Sequence, residues 1–274
     1  MTRADIFSEI QRKRSFLCVG LDTDPRRLPA PLAGSEEGVM AFNRAIIDAT
    51  APYAVCFKPN LAFYEERGAA GMADFEATCQ YIRDRYPEIL ILADAKRGDI
   101  GNTSALYARA FFERELADGV TLSPYMGRDT VEPFLKYPGK WSVILALTSN
   151  PSADDFEMQR LADGRPLYQL VLETARNWGT EENTMFVIGA TKAFILSEVR
   201  KIVPEHFLLV PGVGAQGGSL HDTAAFGMSP QCGLLVNSSR GILYADSSER
   251  FAEAAAAKAA EMQQEMDQLL KTYL

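Results

Sequence analysis

Eight short apolar runs recur along the chain, and their spacing constrains the fold more than any other feature. They occupy 16–21, 54–57, 89–93, 119–122, 142–147, 185–188, 207–210 and 234–236. Each has little polar alternation, as expected of parallel strands buried on both faces. Between them lie stretches with helical periodicity. These are 38–51 with Met40, Phe42, Ile46 and Ile47, 74–86 with Phe75, Cys79 and Ile82, 104–116 with Leu106, Phe111 and Phe112, then 167–178 and 193–203. The last segment, 247–274, is rich in strong helix formers. Its Phe251, Met262, Met266, Leu269 and Tyr273 read as the inner face of an outer helix, with a partner-binding stripe as the alternative.

Eight strands alternating with helices predict a (β/α)8 TIM barrel. The expectation is a single domain over 1–274, with an N-terminal helix and a long C-terminal helix; a doubly wound open sheet is the rival. The loops 25–37 and 151–166 are longer than a minimal barrel needs and read as surface excursions.

Polar residues are sorted along these runs. Asp22 closes the first, Lys58 the second, and Asp94 with Lys96 the third. Ser123 ends the fourth, and Thr148, Ser149 and Asn150 end the fifth. All lie at C-terminal ends, the face on which barrel enzymes build their sites. Asp94 and Lys96 are two apart, so on a regular strand they share a face and are partly desolvated together. Lys58 and Asp99 are their natural further partners. A buried ion network that only fixes the barrel mouth is the structural alternative.

The segment 211–218 holds four glycines, and Ser238, Ser239 and Arg240 follow the next run. Glycines let backbone N–H groups approach a ligand, and an arginine fork matches phosphate oxygens. Together they predict a phosphate site after strands seven and eight; a tight turn would also use glycine. The formal net charge of -8 disfavours general binding of nucleic acid or anionic membranes. An anionic ligand must therefore be drawn in by local groups. Four cysteines without a CxxC pair, three of them in runs that read as strands, fit a reducing cytoplasm. The distant His206 and His221 offer no metal-ligand pattern, no signal-peptide core is visible, and no apolar run approaches a membrane span.

Five ordered blocks resemble the orotidine 5'-phosphate decarboxylase family over nearly the full length. They are Val19-Gly20-Leu21-Asp22-Thr23-Asp24-Pro25, Phe57-Lys58-Pro59-Asn60, the stretch from Ala93 through Asp94-Ala95-Lys96-Arg97-Gly98-Asp99-Ile100 to Thr103, Leu147-Thr148-Ser149-Asn150-Pro151, and 211–218. The longer loops match the longer bacterial branch. The resemblance implies a cytoplasmic homodimeric barrel that converts orotidine 5'-phosphate to UMP and CO2 without a cofactor or metal. It implies Lys96 as proton donor, Asp94 against the substrate carboxylate, and Lys58 and Asp99 completing a charge array. Asp99, Ile100 and Thr103 would reach the neighbouring subunit's site. Asp22 and Lys58 would hold ribose hydroxyls, and Ser149 would read the pyrimidine edge. Gln216 would bridge base and phosphate beside Gly217, and Ser239 and Arg240 would take the phosphate. Shorter members of the family often carry Gly-Arg where this chain has Ser239-Arg240.

The residue types suit that chemistry. Losing CO2 from a pyrimidine carbon leaves an electron pair with little resonance relief, and an adjacent ammonium stabilises and then protonates it. Two other readings stand beside this one. A metal-dependent sugar-phosphate enzyme of similar architecture would use the carboxylates to hold Mg2+. A silent nucleotide sensor would have lost part of the charge array.

Overall fold

In the computed structural model, which describes residues 1–35, 37–189, 193–213 and 217–274, each of the eight apolar runs is a strand. They are β1 (Leu17–Gly20), β2 (Ala54–Lys58), β3 (Leu90–Arg97), β4 (Gly119–Leu122), β5 (Trp141–Leu147), β6 (Thr184–Ile188), β7 (Phe207–Pro211) and β8 (Leu234–Ser238). All neighbours pair in parallel in chain order, and β1 closes the ring on β8 through Leu17↔Val236. The result is a (β/α)8 TIM barrel; the open-sheet rival is excluded. β1, β2, β4 and β6 are buried at every position. Burying each large apolar side chain contributes roughly 1.5–3 kcal/mol, which is why these runs carry no polar face.

The helices are α1 (Arg3–Lys13), α2 (Gly38–Thr50), α3 (Ala62–Glu65), α4 (Gly68–Arg85), α5 (Gly101–Phe112), α6 (Arg128–Leu135), α7 (Leu167–Ala175), α8 (Ile195–Ile202), α9 (Leu220–Gly227), α10 (Arg240–Leu243) and α11 (Phe251–Tyr273). Among the described residues, no helix is long and apolar enough to cross a membrane. Thr2 and Asp5 form a capping box that starts α1. The helix lies at the N-terminal ends of the strands: Lys13 Nζ donates to the carbonyl of Ala54, the first residue of β2, and Trp141 Nε1, from the first residue of β5, donates to the Met1 carbonyl. The site is therefore left to the opposite end. The α11 stripe faces inward except at its end, where Tyr273 is exposed. Phe251 stacks on Phe42 of α2 with centroids 5.1 Å apart, and the Met266 sulfur accepts from the Phe16 amide.

Four sequence expectations need correction here. The helix expected over 74–86 begins at Gly68, because its first turn is Gly and Ala and shows no apolar stripe. Gly71 is obligatory there: a Cβ would lie 1.8 Å from the Tyr64 carbonyl oxygen. The helix expected over 104–116 runs earlier, at Gly101–Phe112. Of the cysteines, Cys18 and Cys56 are on strands, whereas Cys79 is on α4 and Cys232 sits at φ 62° in the turn before β8. All four are free and buried.

The fourth correction concerns β3. Its register runs Leu92↔Gly119 and Ala93↔Val120, then jumps to Arg97↔Leu122. Two extra residues bulge between these pairs, and Lys96 stands at φ 45°, a left-handed conformation uncommon for a residue with a side chain. Asp94 and Lys96 thus meet through a bulge and not through regular pleating. A bulge beside a site re-aims side chains.

At the foot of β7, His206 is buried against Phe186, with ring centroids 5.4 Å apart. Neither ring nitrogen has a hydrogen-bond partner among the described residues. Burial, opposed by Glu181 and reinforced by Arg200, pushes its pKa down to about 4. The unfolded chain then binds more protons than the folded one between about pH 6.5 and 4, so stability falls as pH drops through that window. Unfolding by urea should register a loss of up to about 3 kcal/mol from this group. His206→Phe should flatten that part of the pH dependence; an unchanged profile would exclude the histidine as its source.

Candidate active site

A cavity of about 310 Å³ opens at the C-terminal ends of the strands. Leu145, Val187 and Leu209 from β5, β6 and β7 form apolar parts of its wall. Its polar wall is built by strand ends that face each other only because the barrel closes. Asp22 follows β1, Lys58 ends β2, Asp94 and Lys96 belong to the β3 bulge, and Ser149 and Asn150 follow β5.

Four of these side chains form an alternating line of charge. Asp22 Oδ1 lies 3.9 Å from Lys58 Nζ. Lys58 Nζ donates to Asp94 Oδ2 at 3.0 Å, and Lys96 Nζ donates to Asp94 Oδ1 at 2.7 Å. The Lys58 and Asp94 side chains are buried, whereas Lys96 is 51% exposed and so is not desolvated as its partners are. Burial alone would push the Asp94 carboxyl up. Lys58 and Lys96 outweigh it and hold the group well below the usual carboxylate range. For Lys58, burial works to lower the pKa, and Asp22 and Asp94 outweigh it and hold the ammonium above the usual lysine range. An opposite-charge pair at ~4 Å and an effective dielectric near ~20 gains roughly 4 kcal/mol. That scale is what allows both groups to remain ionised when removed from water.

Asp99 is absent from this line, although it is expected there from sequence. Its carboxylate accepts from the Ile100 amide at 2.8 Å, and it is half-buried outside the cavity wall. The residue two positions beyond the bulge has already turned away toward α5, and Asp22 takes its place within the chain. Ile100 and Thr103 are exposed on the same turn.

The opposite wall is made by Gly212 and Val213 after β7 and by Ser238, Ser239 and Arg240 at the end of β8. Gly212 adopts φ 95°, open to glycine at no steric cost. Gly20 is needed for a different reason: a Cβ there would fall 1.9 Å from Ser239 Oγ. Asn237 Nδ2 donates to Ser239 Oγ and fixes that hydroxyl. Arg240 is exposed at the rim. Gly217, at φ 85°, is exposed and not part of the cavity wall, and Gln216 lies outside the described residues.

Two residues here were not anticipated. Thr121 lines the cavity beside Asn60 and Asn237, and Glu157 supports it by accepting from the Thr148 amide at 2.6 Å. Ser123, expected to end the fourth run in the site, instead donates its amide to the Arg97 carbonyl outside the cavity. The inward polar residue of β4 is Thr121, one alternation earlier. Its signal was available as the single hydroxyl inside an apolar run.

A family model described as "Orotidine 5'-phosphate decarboxylase / HUMPS family" matches residues 15–255. The orotidine 5'-phosphate decarboxylase of Porphyromonas gingivalis is 56% identical over 271 residues, covering 99% of this chain and 98% of that protein. The enzyme of the same name from Bacteroides fragilis is 53% identical over 274 residues, with 100% of each chain covered. Among solved structures, Leishmania donovani OMP decarboxylase superposes with a TM-score of 0.84 at 35% identity, covering 98% of each chain.

The array makes a stability prediction. Lys58→Ala leaves Asp94 buried with one ammonium in place of two and should destabilise the fold by about 3 kcal/mol at neutral pH. Asp94 has a depressed folded pKa, so its favourable contribution is present above the unfolded value and lost as pH falls toward the folded one. The gap between variant and wild type should therefore begin to close below about pH 4, read by denaturant titration. A gap independent of pH would detach it from Asp94.

Proposed function

The chain belongs to the orotidine 5'-phosphate decarboxylase / HUMPS family, and we propose that its barrel mouth is a carboxy-lyase site converting orotidine 5'-phosphate to UMP and CO2 in pyrimidine synthesis. The observation that carries this reading is the Asp22–Lys58–Asp94–Lys96 line at the cavity. The phosphate binds at Arg240 and Ser239, with the Gly212 turn beside them. Gln216 is assigned the bridge between base and phosphate, beside Gly217. Ser149 reads the pyrimidine edge, and Asp22 and Lys58 hold the ribose hydroxyls.

In this pose Asp94 faces the substrate carboxylate. Two lysines keep Asp94 ionised, so the repulsion is present in the bound substrate and fades as charge leaves with CO2. The carbon–carbon bond breaks with its electron pair left on the pyrimidine carbon. The Lys96 ammonium stabilises that pair and donates a proton to the same carbon, becoming a neutral amine that regains its proton from solvent. The charges are fixed before reaction and need no reorganisation. Both Asp94 oxygens already accept from ammonium groups, which disfavours a divalent cation at that carboxylate. All charges in the scheme are carried by side chains, with no cofactor assigned a role. The four free thiols suit a reducing cytoplasm.

The site is completed by a second copy of the chain. Asp99, Ile100 and Thr103 leave the barrel mouth on the turn into α5, where Leu106 and Tyr107 are exposed, as are Tyr125 and Met126 after β4. This apolar surface is the homodimer face, and it delivers the partner's Asp99 to the charge line.

Purified protein should deplete the absorbance of orotidine 5'-phosphate at an undiminished rate in EDTA. Lys96→Ala should abolish that turnover while UMP still binds by calorimetry. Dependence on added metal, or turnover of a pentulose or hexulose phosphate in place of the nucleotide, would overturn the reading. Mixing inactive Asp99→Ala and Lys96→Ala proteins should restore partial activity, because a hybrid dimer holds one site free of both changes. Exchange of subunits without recovery would separate Asp99 from the neighbouring site.

A further inference from the structure

Thr121 is fully buried on β4, and its single hydroxyl touches both working residues of the β3 bulge. Its Oγ1 accepts from the Lys96 amide at 2.9 Å and donates to Asp94 Oδ1 at 2.9 Å. Lys96 Nζ reaches the same Asp94 oxygen at 2.7 Å. The three residues therefore close a ring: amide of Lys96, hydroxyl of Thr121, carboxylate of Asp94, ammonium of Lys96.

The ring answers a problem that the bulge creates. Because β3 pairs Ala93 with Val120 and next Arg97 with Leu122, the Lys96 amide loses its place in the strand ladder. It is left at φ 45°. An amide stranded beside a buried site needs a partner. Lys96 also carries a long, half-exposed side chain with many rotamers, an unsuitable support for a proton donor that must meet one carbon. From this geometry we infer that Thr121 is a positioning residue for proton delivery. It locks the backbone from which Lys96 starts and the carboxylate on which Lys96 ends. The β-branched side chain has a stiff χ1, so the hydroxyl is itself held in place. Small misplacements of a reacting group cost large factors in rate, whereas binding of the finished nucleotide does not depend on them. The inference rests on the decarboxylase reading above.

Thr121→Val preserves shape and removes the hydroxyl; Thr121→Ser preserves the hydroxyl. With orotidine 5'-phosphate as substrate, Thr121→Val should lower kcat about 10- to 100-fold. Its Kd for UMP should stay within about threefold of wild type. Thr121→Ser should recover most of the lost kcat. An unchanged kcat in the valine protein overturns the inference. So does a parallel loss of kcat and UMP affinity that serine fails to rescue, since that marks a purely structural residue. If the valine protein does not fold, Thr121→Ala against Thr121→Ser decides by the same two readouts. Wild-type protein that does not consume orotidine 5'-phosphate at all refutes the underlying function, a result distinguishable from a wild type that turns over and a valine variant that matches it.

Discussion

A carboxylate kept ionised out of water is the interaction on which the rest of this site depends. Asp94 is buried, and burial alone favours its neutral form. Two ammonium groups, one on each oxygen, reverse that preference. Lys58 is in turn held charged by Asp22 and Asp94. Neither Asp94 nor Lys58 would hold its charge at this burial without the opposite charges beside it. The line draws on the ends of β1, β2 and β3, so it exists only when those strands are adjacent and in register. The charge line and barrel closure are one constraint seen from two sides.

The β3 bulge converts that constraint into geometry. Regular pleating would have left Lys96 beside Asp94 at a fixed spacing along one face. Two extra residues instead fold Lys96 back so that its ammonium returns to the carboxylate two positions before it. The irregularity is supported from the neighbouring strand by a hydroxyl and from the backbone just after β2, where the Asp94 amide donates to the Pro59 carbonyl and the Leu61 amide donates to the Asp94 carbonyl. The remaining elements serve the same mouth. α1 seals the opposite end, and α11 packs on the outside through Phe251 and Met266.

Much of this was legible in the order of residues. The run at 89–93 announces a strand because it is apolar without interruption, and Asp94 and Lys96 announce a site because they follow it. Gly212 and Arg240 could be placed at the mouth for the same reason. Ser123 was misleading: it is the first polar residue after a run, yet the bulge in β3 shifts the pairing, and Thr121 takes the inward position. Gly68 to Gly71 concealed the start of α4, since a turn chosen for close backbone approach shows no apolar periodicity.

By itself, the sequence determined the (β/α)8 class, the end of the barrel that carries chemistry, and the identities of Asp22, Lys58, Asp94, Lys96, Ser149 and Arg240 on its wall. These follow from local rules, because apolar length selects a buried strand and chain direction selects its C-terminal end. Only the tertiary structure decided that Asp22 and not Asp99 completes the line within one chain, that Lys96 stands on a bulge, and that Thr121 ties it to Asp94. Those outcomes depend on register between strands distant in sequence. A shift of two residues in one ladder exchanges which side chains meet, and no local pattern in the chain encodes that shift.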